Sequence, residues 1–226
     1  IELGMILVAA CPGGALSNFI THLSGGNTAL SISITAISSS LALFMLPINF
    51  VFWAGLNPET HAMLQSINVS GVDILKSLLI VLALPLVLGF TIQHFLPKLS
   101  AILHHILKYL SVAALFVFIF VAIFRNQEAF FEHFWLLLLI VFVHNALALS
   151  LGYFSSSAAK LNLADKKAVT LEVGMQNSSL AIAIVFSQFG GEYGMALISA
   201  FWGTWHIVSG LVFATLSARY LRKQSI

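Results

Sequence analysis

The sequence predicts an all-α, polytopic membrane protein with about seven transmembrane helices, two of them discontinuous. Three observations carry this. Of the 226 residues, 59% are hydrophobic and 8% charged; a soluble domain carries roughly 25% charged residues, so lipid must cover most of this surface. The apolar residues fall into seven runs, each near the roughly 20 residues needed to cross a bilayer core. Two of the runs are interrupted near their centres by polar residues that no lipid-facing surface explains.

The runs cover residues 1–24, 27–55, 72–95, 101–124, 133–157, 165–189 and 193–219, joined by short segments such as Ser24-Gly25-Gly26 and Gly190-Gly191-Glu192. No Pro/Ser-rich or charged linker divides them, so residues 1–226 read as a single transmembrane domain. The formal charge of +2 is small and scattered, which excludes nucleic acid as a partner. The lone Cys11 excludes an intrachain disulfide framework and a cysteine metal site. The chain opens on an apolar run, Ile1 to Ala10, without Met and without the basic flank and cleavage site of a signal peptide. A preceding N-terminal portion is therefore expected.

Assigning the connections alternately to the two membrane sides places Lys98, Lys108, Lys160, Lys166, Lys167, Arg219, Arg222 and Lys223 on one side. Lys76 and Arg125 fall on the other. The positive-inside rule makes the first side cytoplasmic, with the C-terminus inside and Ile1 near the external face.

The first run contains Cys11-Pro12-Gly13-Gly14, followed by Ser17 and Asn18. Proline removes a backbone donor and the glycine pair weakens the helix, leaving polar backbone groups at mid-membrane depth. Such groups are tolerated where they are buried in protein or line a wet cavity; a plain proline kink is the alternative. The sixth run carries Glu172-Val173-Gly174-Met175-Gln176-Asn177-Ser178-Ser179. An intramembrane acid costs at least a few kcal/mol and generally faces ions, partners or water; the alternative is a protonated packing acid. The two broken runs lie five crossings apart and so run in opposite directions, each followed by a Gly-Gly turn and a long apolar helix. That is the pattern of an inverted repeat, in which half-helix ends meet near the midplane and coordinate substrate and coupling ion.

Hard oxygen ligands suit a small cation. The two segments offer Glu172, Asn18, Gln176, the hydroxyls of Ser17, Ser31 and Thr35, and carbonyls freed by the breaks, with sodium the natural candidate. Ser31 and Thr35 are spaced i, i+4 and face one direction, although small hydroxyl residues also ease helix packing.

These residues resemble the bile acid:sodium symporter family. The resemblance rests on Cys-Pro-Gly-Gly with Ser17-Asn18, on Gly-Asn-x-Ala-Leu-Ser from Gly26 to Ser31, and on Glu-Val-Gly-Met-Gln-Asn from Glu172 to Asn177. It extends over essentially the whole chain, through His144-Asn145 and Trp205-His206, and corresponds to helices four to ten of a ten-helix, inverted-repeat transporter fold. About three leading helices are then expected before Ile1.

The resemblance implies one sodium site from Ser17, Asn18, Ser31, Thr35 and Glu172. It implies a second from Glu172, Val173, Met175 and Gln176, with Val173 and Met175 acting through their carbonyls and a glutamine from a helix before this chain completing it. It also implies that Asn177 and the His206 region face the substrate, although an interior histidine is the alternative for His206. Ile207 stands where several relatives carry a second polar residue, which weakens transfer of any particular substrate.

The expected activity is sodium-coupled import of an organic anion, such as a bile acid or related carboxylate, by alternating access in the cell membrane. Sodium is the only metal and no organic cofactor is expected. An exporter of the arsenite-carrier type is the alternative within transport, and a non-transporting sensor the alternative outside it. An intramembrane hydrolase would need a second acid or an oriented Ser/His pair, and Glu172 has no second mid-membrane carboxylate.

Overall fold

The computed structural model describes residues 1–66, 71–125 and 127–224, and their regular elements are helices. The first run is split. α1 (Glu2–Ala10) stops at Cys11, whose backbone is extended at φ −67°, ψ 149°, because a residue before proline is pushed out of the helical region. α2 (Ala15–Leu23) begins after Gly14. Gly25, at φ +68°, then turns the chain into α3 (Thr28–Leu56), where Asn27 Oδ1 accepts the Leu30 N–H at 3.1 Å as N-cap.

α4 (Pro58–Ser66), α5 (Gly71–Phe95), α6 (Pro97–Arg125), α7 (Gln127–Glu132) and α8 (Phe134–Ala158) follow. The second broken run is α9 (Leu163–Gly174) and α10 (Ser178–Gln188), capped by Asn162 and Asn177, and α11 (Tyr193–Gln224) closes the chain. Each expected run has a helix or a split helix in its place, within a few residues. The short α4 and α7 are additions. α4 starts as helices often do, with Pro58 at its first position and Asn57 Oδ1 accepting the Glu59 N–H at 3.0 Å.

Among the described residues, three unbroken stretches are long and apolar enough to cross a membrane: Thr28–Leu56, Phe134–Ala158 and Tyr193–Ser217. On α3, Ile37, Leu41, Phe44, Ile48 and Phe52 are exposed every three or four residues, while Leu46, Phe50 and Ala54 are buried. The outward stripe suits lipid and the opposite stripe forms core. That core joins α1, α3, α8, α10 and α11 through Leu3, Leu7, Phe50, Val141, Val185 and Trp202. The chain is a multi-pass membrane protein.

The two breaks cross and pair. Gly13 and Gln176 form an isolated antiparallel bridge. The Gly14 N–H donates to Met175 O at 3.0 Å, and the Asn177 N–H donates to Pro12 O at 2.8 Å. The offset that takes Gly13 to Gln176 also takes Gly14 to Asn177 and Pro12 to Met175, so the two bonds exchange with one another. This exchange is the local two-fold relation of an antiparallel bridge. It also shows where the backbone groups freed by proline and glycine go, since each break satisfies the other.

α8 lies against α9 through small residues. A Cβ at Gly152 would stand 2.8 Å from Thr170 Cα and 3.1 Å from Thr170 O, and backbone cannot move aside as a side-chain tip can. Gly152→Ala is therefore expected to lower stability by about 1–3 kcal/mol, read as a fall in melting temperature in detergent; an unchanged melting temperature would show that the helices part freely.

Candidate functional site

Glu172, on the last turn of α9 before the break, is 4% exposed. Three hydroxyls from α2 and α3 converge on it. Ser17 Oγ, on α2, lies 2.5 Å from Oε2; Ser31 Oγ, on α3, lies 3.2 Å from Oε2; Thr35 Oγ1, one turn further, lies 2.6 Å from Oε1. Asn18 Oδ1 closes the group at 2.7 Å from Ser31 Oγ and 3.1 Å from Thr35 Oγ1. Beyond them, Thr21 Oγ1 donates to Ser31 Oγ at 3.3 Å. The first set of residues is thus brought together as a single cluster.

The cluster holds more close oxygens than hydrogens. Ser17 Oγ also approaches Gly14 O at 2.7 Å, and Thr35 Oγ1 also approaches Ser31 O at 3.0 Å. Each hydroxyl carries one hydrogen yet faces two or three acceptors. The surplus lone pairs and the carboxylate favour a positive charge among them. One carboxylate with neutral hydroxyl and amide oxygens matches a monovalent hard cation. Among the described residues no cluster of three His, Cys, Asp or Glu could hold a transition metal.

The second set is arranged differently. Both Glu172 oxygens point to the first cluster. Val173 O accepts Gln176 Nε2 at 2.9 Å, and Met175 O accepts the Gly14 N–H. Gln176 Oε1 is buried without a partner among the described residues, and the two carbonyls each keep a second lone pair.

Asn177 Oδ1 caps α10 by accepting the Leu180 N–H at 3.0 Å, so its amide nitrogen is the group left to face a solute. His206 is 5% exposed and its Nδ1 has no partner among the described residues. It lies on the face of α11 bearing Gly203 and Gly210, which abut Ser178 and Met175 respectively, and thus beside the second break. Cys11 is buried among apolar residues of the core.

Three further residues shape the site. Gly13 gives Glu172 its space: a Cβ there would overlap Glu172 Oε1 and stand 2.7 Å from Cδ. Asn145 on α8, 1% exposed, donates to Gly174 O at 2.7 Å and so satisfies an end carbonyl of α9. Asn27 ties the α2–α3 turn to α9: its N–H donates to Ala164 O at 3.0 Å and its Nδ2 to Asp165 Oδ1 at 2.7 Å. An Asn inside an apolar helix and an Asn after Gly-Gly were the available signals for the last two.

Comparison with known proteins identifies a family. The family model described as Sodium Bile acid symporter family matches residues 1–133. "Uncharacterized sodium-dependent transporter YocS" of Bacillus subtilis is 31% identical over 99% of this chain and 66% of its own length. "Probable sodium/metabolite cotransporter BASS1, chloroplastic" of Arabidopsis thaliana is 29% identical over 98% of this chain and 53% of its own. "Sodium/bile acid cotransporter 5" of Rattus norvegicus is 32% identical over 82% of this chain and 42% of its own. The chain thus spans between two fifths and two thirds of these relatives. With the crossed breaks and the family match together, the chain belongs to the sodium bile acid symporter family.

Proposed function

We propose that this chain forms the ion-binding part of a sodium-coupled symporter that imports an organic anion by alternating access, with its C-terminus in the cytoplasm. The observation that carries the reading is the proton-poor oxygen cluster around Glu172, whose hydroxyl hydrogens are too few for its short oxygen contacts. A sodium ion supplies the missing positive charge. Ser17, Asn18, Ser31, Thr35 and Glu172 are its ligands in this reading, and Gln176 Oε1 with the Val173 and Met175 carbonyls and Glu172 serves a second ion. The family description and the names of three relatives each mention sodium, which supports the ion.

The mechanism follows from the placement of the ligands. Glu172 comes from one repeat and the hydroxyls from the other, so ion binding cross-links the two and neutralises the charge that would otherwise resist movement through lipid. The ordered crossing then presents Asn177 Nδ2 and His206 as donors to an anion, and one helical bundle rocks against the other. Each sodium entering down a 100 mV potential contributes about 2.3 kcal/mol.

The test is uptake into proteoliposomes of the complete protein, with sodium-dependent thermal stabilisation across a panel of organic anions. Sodium is expected to stabilise and potassium not; uptake indifferent to sodium would refute the reading. Within it, Thr35→Val removes one hydroxyl at constant volume and is expected to raise the half-saturating sodium concentration about fivefold, the worth of one hydrogen-bonding or coordinating oxygen. An unchanged titration would remove Thr35 from the ligand set.

A further inference from the structure

Lys167 is 5% exposed, although its place near the cytoplasmic start of α9 marks it in sequence as a surface charge. Its Nζ donates to Ser24 O, the C-cap of α2, at 2.7 Å. The neighbouring carboxylate, Asp165, accepts instead from Asn27 Nδ2 at 2.7 Å and Asn162 Nδ2 at 2.6 Å. The Lys167 nitrogen is therefore held inside the protein by a backbone carbonyl. Five residues separate it from Glu172 on one helix, about 7.5 Å along the axis. Side chains connect the two: Ser24 Oγ donates to Thr21 O at 2.9 Å, Thr21 Oγ1 to Ser31 Oγ, and Ser31 Oγ reaches Glu172.

The position equally far from the bridge on α1 carries no charge. The offset relating Gly13 to Gln176 makes Gly4 the counterpart of Lys167. At Gly4 a Cβ would stand 2.8 Å from Met195 Cα and 3.2 Å from Ile198 Cβ. The external end of the crossing is closed by direct apolar contact, and the cytoplasmic end by a buried cation.

Resting on the sodium reading above, we propose that Lys167 sets the affinity of the Glu172 site from a distance: its fixed positive charge weakens cation binding enough for release to the cytoplasm. A carrier's ion must bind well enough to enter and weakly enough to leave, and a like charge at this range is worth up to about fortyfold in affinity at an effective dielectric near 20. Lys167 touches no ligand and acts through its field alone. Its cap on α2 is a separate, structural contribution.

The experiment is a sodium titration of thermal stability on the complete protein in detergent, with wild type, K167M, K167Q and K167R, paired with uptake at saturating sodium. K167M removes the charge at similar volume, K167Q removes it while keeping a donor for the Ser24 carbonyl, and K167R keeps it. The half-saturating sodium concentration is expected to fall about ten- to fortyfold in K167M and K167Q and to stay at the wild-type value in K167R. Uptake at saturating sodium is expected to slow in the two neutral variants, because release slows. If either neutral variant folds and titrates like wild type, whatever its melting temperature without sodium, the inference is overturned and the sodium reading stands. A wild-type protein that does not respond to sodium overturns both.

Discussion

Glu172→Gln is expected to abolish sodium-dependent stabilisation and uptake while leaving the sodium-free protein as stable as wild type or more so. The carboxylate is 4% exposed with a hydroxyl on each oxygen. Its charge is costly where it lies unless a cation or those hydroxyls offset it. The amide keeps the shape and removes the charge. Ser17 Oγ already has Gly14 O as a second acceptor at 2.7 Å, and Thr35 Oγ1 has Ser31 O at 3.0 Å, so the hydroxyl that meets the amide nitrogen can turn away and accept from it while the other goes on donating to the amide oxygen. The fold therefore survives, and what is lost is the attraction for a cation. Removing one partner of a buried charge pair costs about 3–5 kcal/mol, a loss of affinity greater than about a hundredfold. A sodium titration of melting temperature and a sodium-dependence curve for uptake check it together. If the variant keeps a wild-type sodium response, the ion is held elsewhere. If uptake dies in the variant but wild-type uptake never depended on sodium, the carboxyl carries a proton instead.

Much of this fold was legible in the residues, because bilayer thickness sets the length of the apolar runs and Pro-Gly-Gly marks a break by backbone chemistry alone. Glu172, Ser17, Ser31 and Thr35 could be nominated because a polar side chain in an apolar span needs a reason. Which carbonyls were already occupied could not be read, since pattern identifies the broken helices but not that Pro12 O and Met175 O would accept from the opposite break. Asn177 looked like a substrate contact and has half of its amide engaged as a helix cap. Lys167 was counted with the surface lysines, and its burial depends on a turn more than 140 residues away in sequence folding over it. The small polar α4 and α7 fall below the length and hydrophobicity at which apolar runs can be recognised.

Gly13 and Gly14 look interchangeable in the sequence, and the structure separates them by one atom. A Cβ on Gly14 would meet Asn177 Cα and Gln176 O at 3.5 Å, ordinary contact, and the Gly14 backbone at φ −102°, ψ 153° suits any residue. A Cβ on Gly13 would overlap the Glu172 carboxylate, which is not a free side-chain tip, because Ser17 and Thr35 fix both of its oxygens. The glycine at 13 is thus a requirement of space beside the Glu172 carboxylate and not of backbone conformation. Overpacking of this kind costs about 1–3 kcal/mol, and here the side chain that must yield is the charged ligand. Gly13→Ala is expected to raise the half-saturating sodium concentration about thirtyfold, with Gly14→Ala close to wild type. Equal titrations for the two variants would mean that the carboxylate moves aside without cost, and that the cluster around it is less rigid than its short contacts require.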